Sequence, residues 1–399
     1  MKLALPELRP HTVSLPTGSR GARRGLLSTA ALLSLVLTGC APVTPGIVGA
    51  ASNAPAAPVS ACTDGTAGKR ELPAEWSATG SWAGATNAAS HQAATGPTTA
   101  ETAGMTLPKV ASVPTPELPA SVTSCDGANV AVTDVSRIVT IDLYGTLTEI
   151  VHGLGLGANV VGHDRAANFP EAANGTVVTP SGHDLNAEAI TALDPTLILT
   201  DTTIGPLDIQ QQLREIGIPV IFFDPARTLP GISHQINAVA DALGVPDAGV
   251  ELNTLVGADI SAALSMVPAA STPARVAFLY VRGTAGVYLM AGPGSGADDM
   301  IAAAGAMDVG TDIGLKLPFT QLTSEALIKA APDVLLLMTG GLKSVGGVDG
   351  LVKIQGIGQT PAGTSRRVVD IADDSLLGFG PRTGQSIKAL ATALHGSRS

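Results

Sequence analysis

Beyond Leu37 this 399-residue chain has no long apolar run, which excludes a multi-pass membrane domain. Positive charge is also scarce. Lys+Arg number 23 against 33 Asp+Glu, a formal net charge of −10, so the cationic field that gathers nucleic-acid phosphates is missing. Three cysteines are too few for an all-cysteine zinc site or a disulfide-dense scaffold. Catalytic signatures are lacking as well. There is no Gly-x-Ser-x-Gly elbow and no His-Glu-x-x-His helix. The run Ala291-Gly292-Pro293-Gly294-Ser295-Gly296 lacks both the Gly-Lys-Ser/Thr ending of a phosphate loop and the spacing of a dinucleotide fingerprint. Its glycines suit a tight turn whose N–H groups are open to a carboxylate at the next helix start. His183-Asp184 has no nucleophile beside it, so the chain is not expected to be an enzyme.

What is present begins with an address. Arg20, Arg23 and Arg24 precede the apolar stretch Leu26–Leu37, and Leu37-Thr38-Gly39-Cys40 closes it. Residues 1–39 therefore read as an export signal, and their end resembles a bacterial lipobox in which Cys40 is acylated. A lipid on Cys40 holds a protein at the extracytoplasmic membrane face without a spanning helix. Residues 40–134 are dominated by Ala, Pro, Gly, Ser and Thr without helical or strand period, and are expected to form a mostly disordered tether containing Trp76 and Trp82. Cys62 and Cys125 remain; outside the cell they can pair across a long loop or stay free thiols.

From residue 135 the pattern becomes regular. Strand-like runs at Arg137–Leu143, Val160–Gly162, Thr196–Leu199 and Gly217–Phe223 alternate with helical stretches, which indicates a parallel α/β sheet. A second series starts at Arg275–Tyr280. The halves repeat: Asn186-Ala187-Glu188-Ala189-Ile190 leads to Pro195, and Thr323-Ser324-Glu325-Ala326-Leu327 leads to Pro332 at the same interval. Glu188 and Glu325 thus occupy matching places near helix starts, as helix caps or as a shared surface feature. Apolar residues at helical spacing across 246–267 predict a connecting helix, on the order of 30 Å long. The expected fold is α/β: two Rossmann-like lobes, 135–245 and 273–399, with a ligand cleft between them and one long helix (246–272) joining them.

This order of elements, the repeated glutamate motif and the lipobox resemble the single-helix-linked substrate-binding proteins of ATP-driven importers for siderophores, haem and cobalamin. Ser181-Gly182-His183-Asp184-Leu185-Asn186, Leu279-Tyr280-Val281-Arg282-Gly283 and Gly378-Phe379-Gly380-Pro381-Arg382-Thr383-Gly384 are similar to the haem-binding lipoproteins of the HmuT type. The resemblance implies that His183 and Tyr280, one per lobe, ligate the ferric iron of haem b (iron protoporphyrin IX), with Arg282 against the tyrosine. It also implies that Glu188 and Glu325 dock onto arginines of an ABC permease driven by a separate ATPase. Haem-donor surface proteins are further expected partners.

The chemistry is consistent. A phenol titrates near 10 unperturbed, and iron(III) with a neighbouring guanidinium favours the phenolate that hard ferric iron prefers. Imidazole serves as the second axial ligand. Tyr144, on the loop into the first helix, is the rival tyrosine; His163 is the rival histidine. His152 and Tyr288 are expected to pack, and Met290 to pack or approach the macrocycle. Arg165, Arg227 and Arg382 are candidates to meet propionates. The alternative cargo on the same scaffold is a siderophore or cobalamin, and a lipid-anchored cell-wall enzyme is the remaining reading.

Overall fold

The computed structural model describes residues 58–62, 95–268 and 272–396. The expected export signal 1–39, Cys40, Trp76 and Trp82 lie outside the described residues. From residue 95 the expected tether is instead ordered. With residues 58–62 it supplies β1 (Val59–Ser60), β2 (Thr98–Thr99), β3 (Ala120–Thr123) and β4 (Asn129–Val132). β3 pairs with β1 in parallel and with β4 antiparallel, and a Cys62–Cys125 disulfide closes this small sheet. Between β2 and β3 the chain runs as a strap over both halves of the molecule. The Val110 N–H donates to Gly153 O (2.9 Å) and the Glu117 N–H to Gly244 O (2.7 Å). Thr106 exchanges two hydrogen bonds with the Gln385 amide, and the Ala111 N–H donates to Glu251 Oε1 at 2.8 Å. A proline-rich path satisfied by single loop and side-chain partners leaves no period to read.

The first lobe follows: β5 (Ile138–Ile141), α1 (Thr146–Gly153), β6 (Val160–His163), β7 (Thr176–Val177), α2 (Ala187–Thr191), β8 (Leu197–Thr200), α3 (Leu207–Glu215) and β9 (Val220–Phe222). Its sheet, ordered β7-β6-β5-β8-β9, is parallel throughout. β5, β8 and β9 are buried at every residue, so their apolar runs are unbroken because helices cover both faces. α4 (Leu229–Ala242), N-capped by Thr228, leads into α5 (Pro246–Ser265), which opens on proline at its first turn.

The second lobe contains β10 (Arg275–Arg282), β11 (Val287–Ala291), α6 (Ala297–Ala303), β12 (Met307–Asp308), α7 (Val309–Asp312), β13 (Phe319–Gln321) and α8 (Ser324–Ala330). It continues through β14 (Val334–Met338), α9 (Thr339–Ser344), α10 (Gly347–Leu351), α11 (Pro361–Ser365), β15 (Val368–Ile371) and α12 (Thr383–His395). The sheet order is β13-β11-β10-β14-β15-β2, with β12 also beside β10. It is mixed rather than purely parallel: β11 runs antiparallel to both of its neighbours, β10 and β13. Only the short turn Gly283–Gly286 separates β10 from β11, too little for a crossover helix, so the chain returns directly alongside.

One apolar core runs through both lobes, from Ile138 and Leu147 through Leu252, Val256 and Ile260 of α5 to Phe278 and Leu390. β10 shows how the faces are sorted. Val276 and Phe278 join this shared core, whereas Ala277, Leu279 and Val281 face a separate outer one. By that two-residue period Tyr280 and Arg282 share the face of Phe278.

Candidate functional site

Tyr280 lies near the C-terminal end of β10, where open α/β sheets collect their ligand groups. The Arg282 guanidinium lies over its ring, 4.7 Å from the centroid, and Phe319 meets the same ring edge-on at 5.9 Å. Arg282 Nη2 donates to Asp373 Oδ1 at 2.9 Å, and the other Asp373 oxygen accepts the Gly340 N–H at 2.7 Å. Glycines let this wall pack closely. A Cβ on Gly340 would stand 2.9 Å from the Asp373 carboxylate, and one on Gly341 2.7 Å from Val281 O and 3.1 Å from Arg282 Nη1. Sequence reasoning missed Asp373, which is 91 residues from Arg282 and in no shared motif.

The first lobe presents Tyr144. Asp142, just past β5, accepts the N–H groups of Tyr144 (2.8 Å), Thr146 (3.2 Å) and Leu147 (2.8 Å), which fixes the turn into α1. Arg227 lies over the Tyr144 ring at 4.8 Å and donates to Asp201 Oδ2 at 2.8 Å. Burial pushes the Tyr144 phenol above its ordinary value; Arg227 opposes this, while Asp201, Tyr280 and Asp142 reinforce it. Tyr144 is therefore held as a neutral phenol, an O–H donor rather than a phenolate. The Asp164 carboxyl is driven well above the usual range by burial and by Asp142.

His183 is exposed on the loop between β7 and α2. That loop is shaped by a Ser181–Asp184 side-chain hydrogen bond of 3.1 Å, a backbone bridge from Asp184 to Gly205, and Arg165 donating to Pro180 O at 2.8 Å. Tyr144, Tyr280 and His183 all stand at the C-terminal ends of parallel strands, or on the loops just beyond them.

Other candidates are placed elsewhere. His163 is buried, its Nδ1 2.7 Å from Asp164 O. His152 is buried edge-on to Phe169. Met290 and Tyr288 belong to the outer core of the second lobe, away from the Tyr280 face. The N–H groups of Gly294 and Gly296 are taken by Asp298, at 2.8 and 2.9 Å, so this loop does not offer them to a carboxylate. Arg382 also requires correction. It is buried, paired with Glu149 at 2.6 Å and 3.5 Å from Asp374, so its charge is committed between the lobes rather than to a propionate. Gly378-Phe379-Gly380 threads beside it: Thr146 Oγ1 donates to Gly378 O, and a Cβ on Gly380 would stand 2.8 Å from Glu149 Oε2. With the Leu229 N–H donating to Asp299 at 2.9 Å, these contacts make an inter-lobe clasp.

Glu188 and Glu325 are both exposed in the first turns of α2 and α8. The caps are Asn186 and Thr323, two positions earlier, whose side-chain oxygens accept from the Ala189 and Ala326 N–H groups.

Residues 141–375 match the periplasmic binding protein family, and the chain belongs to it. The crystal structure of the heme binding protein HmuT has a TM-score of 0.72 and 36% identity to this chain, covering 76% of it and 99% of HmuT. HmuT variants with alanine for one histidine, one tyrosine or one arginine share the fold, and that tyrosine and arginine are two positions apart, as Tyr280 and Arg282 are. The uncharacterised ABC transporter substrate-binding lipoprotein YvrC of Bacillus subtilis is 25% identical over 280 residues, 69% of this chain and 85% of its own. A cobalamin-binding protein of Halobacterium salinarum is 26% identical over 282 residues, 69% of this chain and 74% of its own. Family and neighbours are substrate-binding proteins of transport. Among the described residues no helix is long and apolar enough to cross a membrane.

Proposed function

We propose that this protein captures haem b outside the cell and delivers it to an ABC permease, held at the membrane face by a lipid on Cys40. Tyr280 and His183 are the axial ligands, Arg282 sustains the tyrosinate, and the neutral Tyr144 phenol donates a hydrogen bond to the cargo. Glu188 and Glu325 dock the two lobes on the permease. The observation that carries this reading is the Tyr280–Arg282 stack on the inward face of β10. A guanidinium over a phenol ring stabilises the anionic oxygen that ferric iron prefers.

Adding hemin to the purified protein is expected to give a Soret band with a phenolate charge-transfer feature. Tyr280→Ala removes that feature and weakens retention by more than the ~10-fold typical of losing a supporting residue. His183→Ala leaves a Tyr-ligated haem with a shifted spectrum. Wild-type spectra in both variants would overturn the ligand assignment. The cobalamin-binding relative supports a second reading on the same scaffold; saturation by cyanocobalamin, with no response to hemin, would select it.

A further inference from the structure

We infer that Asp373 is a positioning residue for this site: it holds the Arg282 guanidinium over the Tyr280 ring and so sets how firmly the tyrosine oxygen retains a ferric centre. The consequence for iron rests on the haem reading above; the positioning itself does not.

The argument is a chain of contacts. The Gly340 N–H, at the start of α9, fixes the Asp373 carboxylate at 2.7 Å; Asp373 fixes Arg282 Nη2 at 2.9 Å; Arg282 lies 4.7 Å from the Tyr280 ring centroid. Arg282 is long and its side chain is 31% exposed, so a cation–π contact alone holds it weakly against solvent. It also meets Val281 O at 3.1 Å and Met338 Sδ at 3.5 Å, neither of them charged. Asp373 is thus the charged anchor, and the glycine pair Gly340-Gly341 is the space in which anchor and guanidinium fit. Its carboxylate also offsets part of the cation, but an unanchored Arg282 would leave the ring for water, and that loss is the larger one.

The test uses the full chain with Asp373→Ala, Arg282→Ala and the double variant. In the ligand-free protein the Arg282 side-chain protons carry an upfield ring-current shift by NMR, with Tyr280→Ala as the zero reference. Asp373→Ala is expected to abolish most of it, and a retained shift overturns the inference. Hemin transfer to excess apomyoglobin is expected to accelerate about 3–10-fold in Asp373→Ala and about 10-fold in Arg282→Ala. The double variant should be no faster than Arg282→Ala alone. Additive acceleration would mean that Asp373 acts only by capping α9, which also overturns it. A wild-type chain that takes up no hemin would defeat the haem reading, while the NMR shift would still decide the positioning.

Discussion

Two tyrosines lie under two arginines, in different surroundings. Arg227 is 4% exposed and shared between Asp201 and Asp142, so Tyr144 sits in a buried, net acidic pocket and keeps its proton. Arg282 is partly in water with one carboxylate partner. A buried histidine behaves differently again. His152 is pressed edge-on to Phe169 (5.3 Å) and under Gly157, where a Cβ would strike its ring. Burial above all lowers its pKa to about 4, with smaller contributions from His163 and Lys109 and against the pull of Glu171. The unfolded imidazole titrates near 6.5, so between 6.5 and 4 the unfolded chain takes up a proton that the native one refuses. This stabilisation is complete above 6.5, is lost as the pH falls towards 4, and changes no further below that. Thermal melts at pH 7.5 and 4.5 should show that His152→Leu recovers on the order of 3 °C of the acid-induced drop in Tm. An undiminished drop would place the acid sensitivity elsewhere. That Arg282 lies against Tyr280 was implied by the family resemblance, and strand neighbours two apart share a face. The partners of Arg282 and Arg382 were not legible, because Asp373 and Glu149 are 91 and 233 residues away and no local period links them.

At the scale of elements, α5 does more than connect. α4 and α12 lie against it at close approach: a Cβ on Gly249 would meet the Ala240 Cβ at 2.6 Å, and one on Gly384 would meet the Asp259–Ile260 backbone at 2.6–2.7 Å. Gly384 ends the run Gly378–Gly384, whose likeness to haem-binding lipoproteins suggested a cargo contact. In the structure the run builds the clasp and seats α12. Gly384→Ala is therefore predicted to cost about 1–3 kcal/mol by overpacking against backbone that cannot yield, read as a lower denaturation midpoint with an unchanged hemin spectrum. A neutral result would show that α12 can slide on α5. The strands were readable as short unbroken apolar runs between helical stretches, and the helix over 246–265 because its apolar residues recur about every 3.6 positions. The strap was unreadable for the opposite reason. β1 and β2 have two residues each, and what holds residues 105–118 is a series of separate bonds to Gly153, Gly244, Glu251 and Gln385. Antiparallel β11 was hidden because strand direction is set by connection length, here one glycine-ended turn.

For the whole molecule, the shared core through α5, the Glu149–Arg382 clasp and the strap all tie one lobe to the other. Three such ties are expected to restrict hinge motion, and with it any change in the separation of Glu188 and Glu325. That suits a two-fold permease presenting one basic pocket to each lobe, because a rigid pair of carboxylates can engage both at once. Arg–carboxylate bonds are directional, so such a pair would set orientation as well as attraction. The caps of α2 and α8 come from Asn186 and Thr323, which leaves both glutamates without a capping duty to explain them. Glu188→Ala with Glu325→Ala is accordingly predicted to preserve hemin binding and melting temperature while lowering haem uptake by cells ~10-fold or more. Replacing both by Lys should be worse, since like charges would then meet at the docking surface. Uptake at the wild-type rate by the double alanine variant, with the protein present at normal levels on the cell, would remove these glutamates from the docking surface.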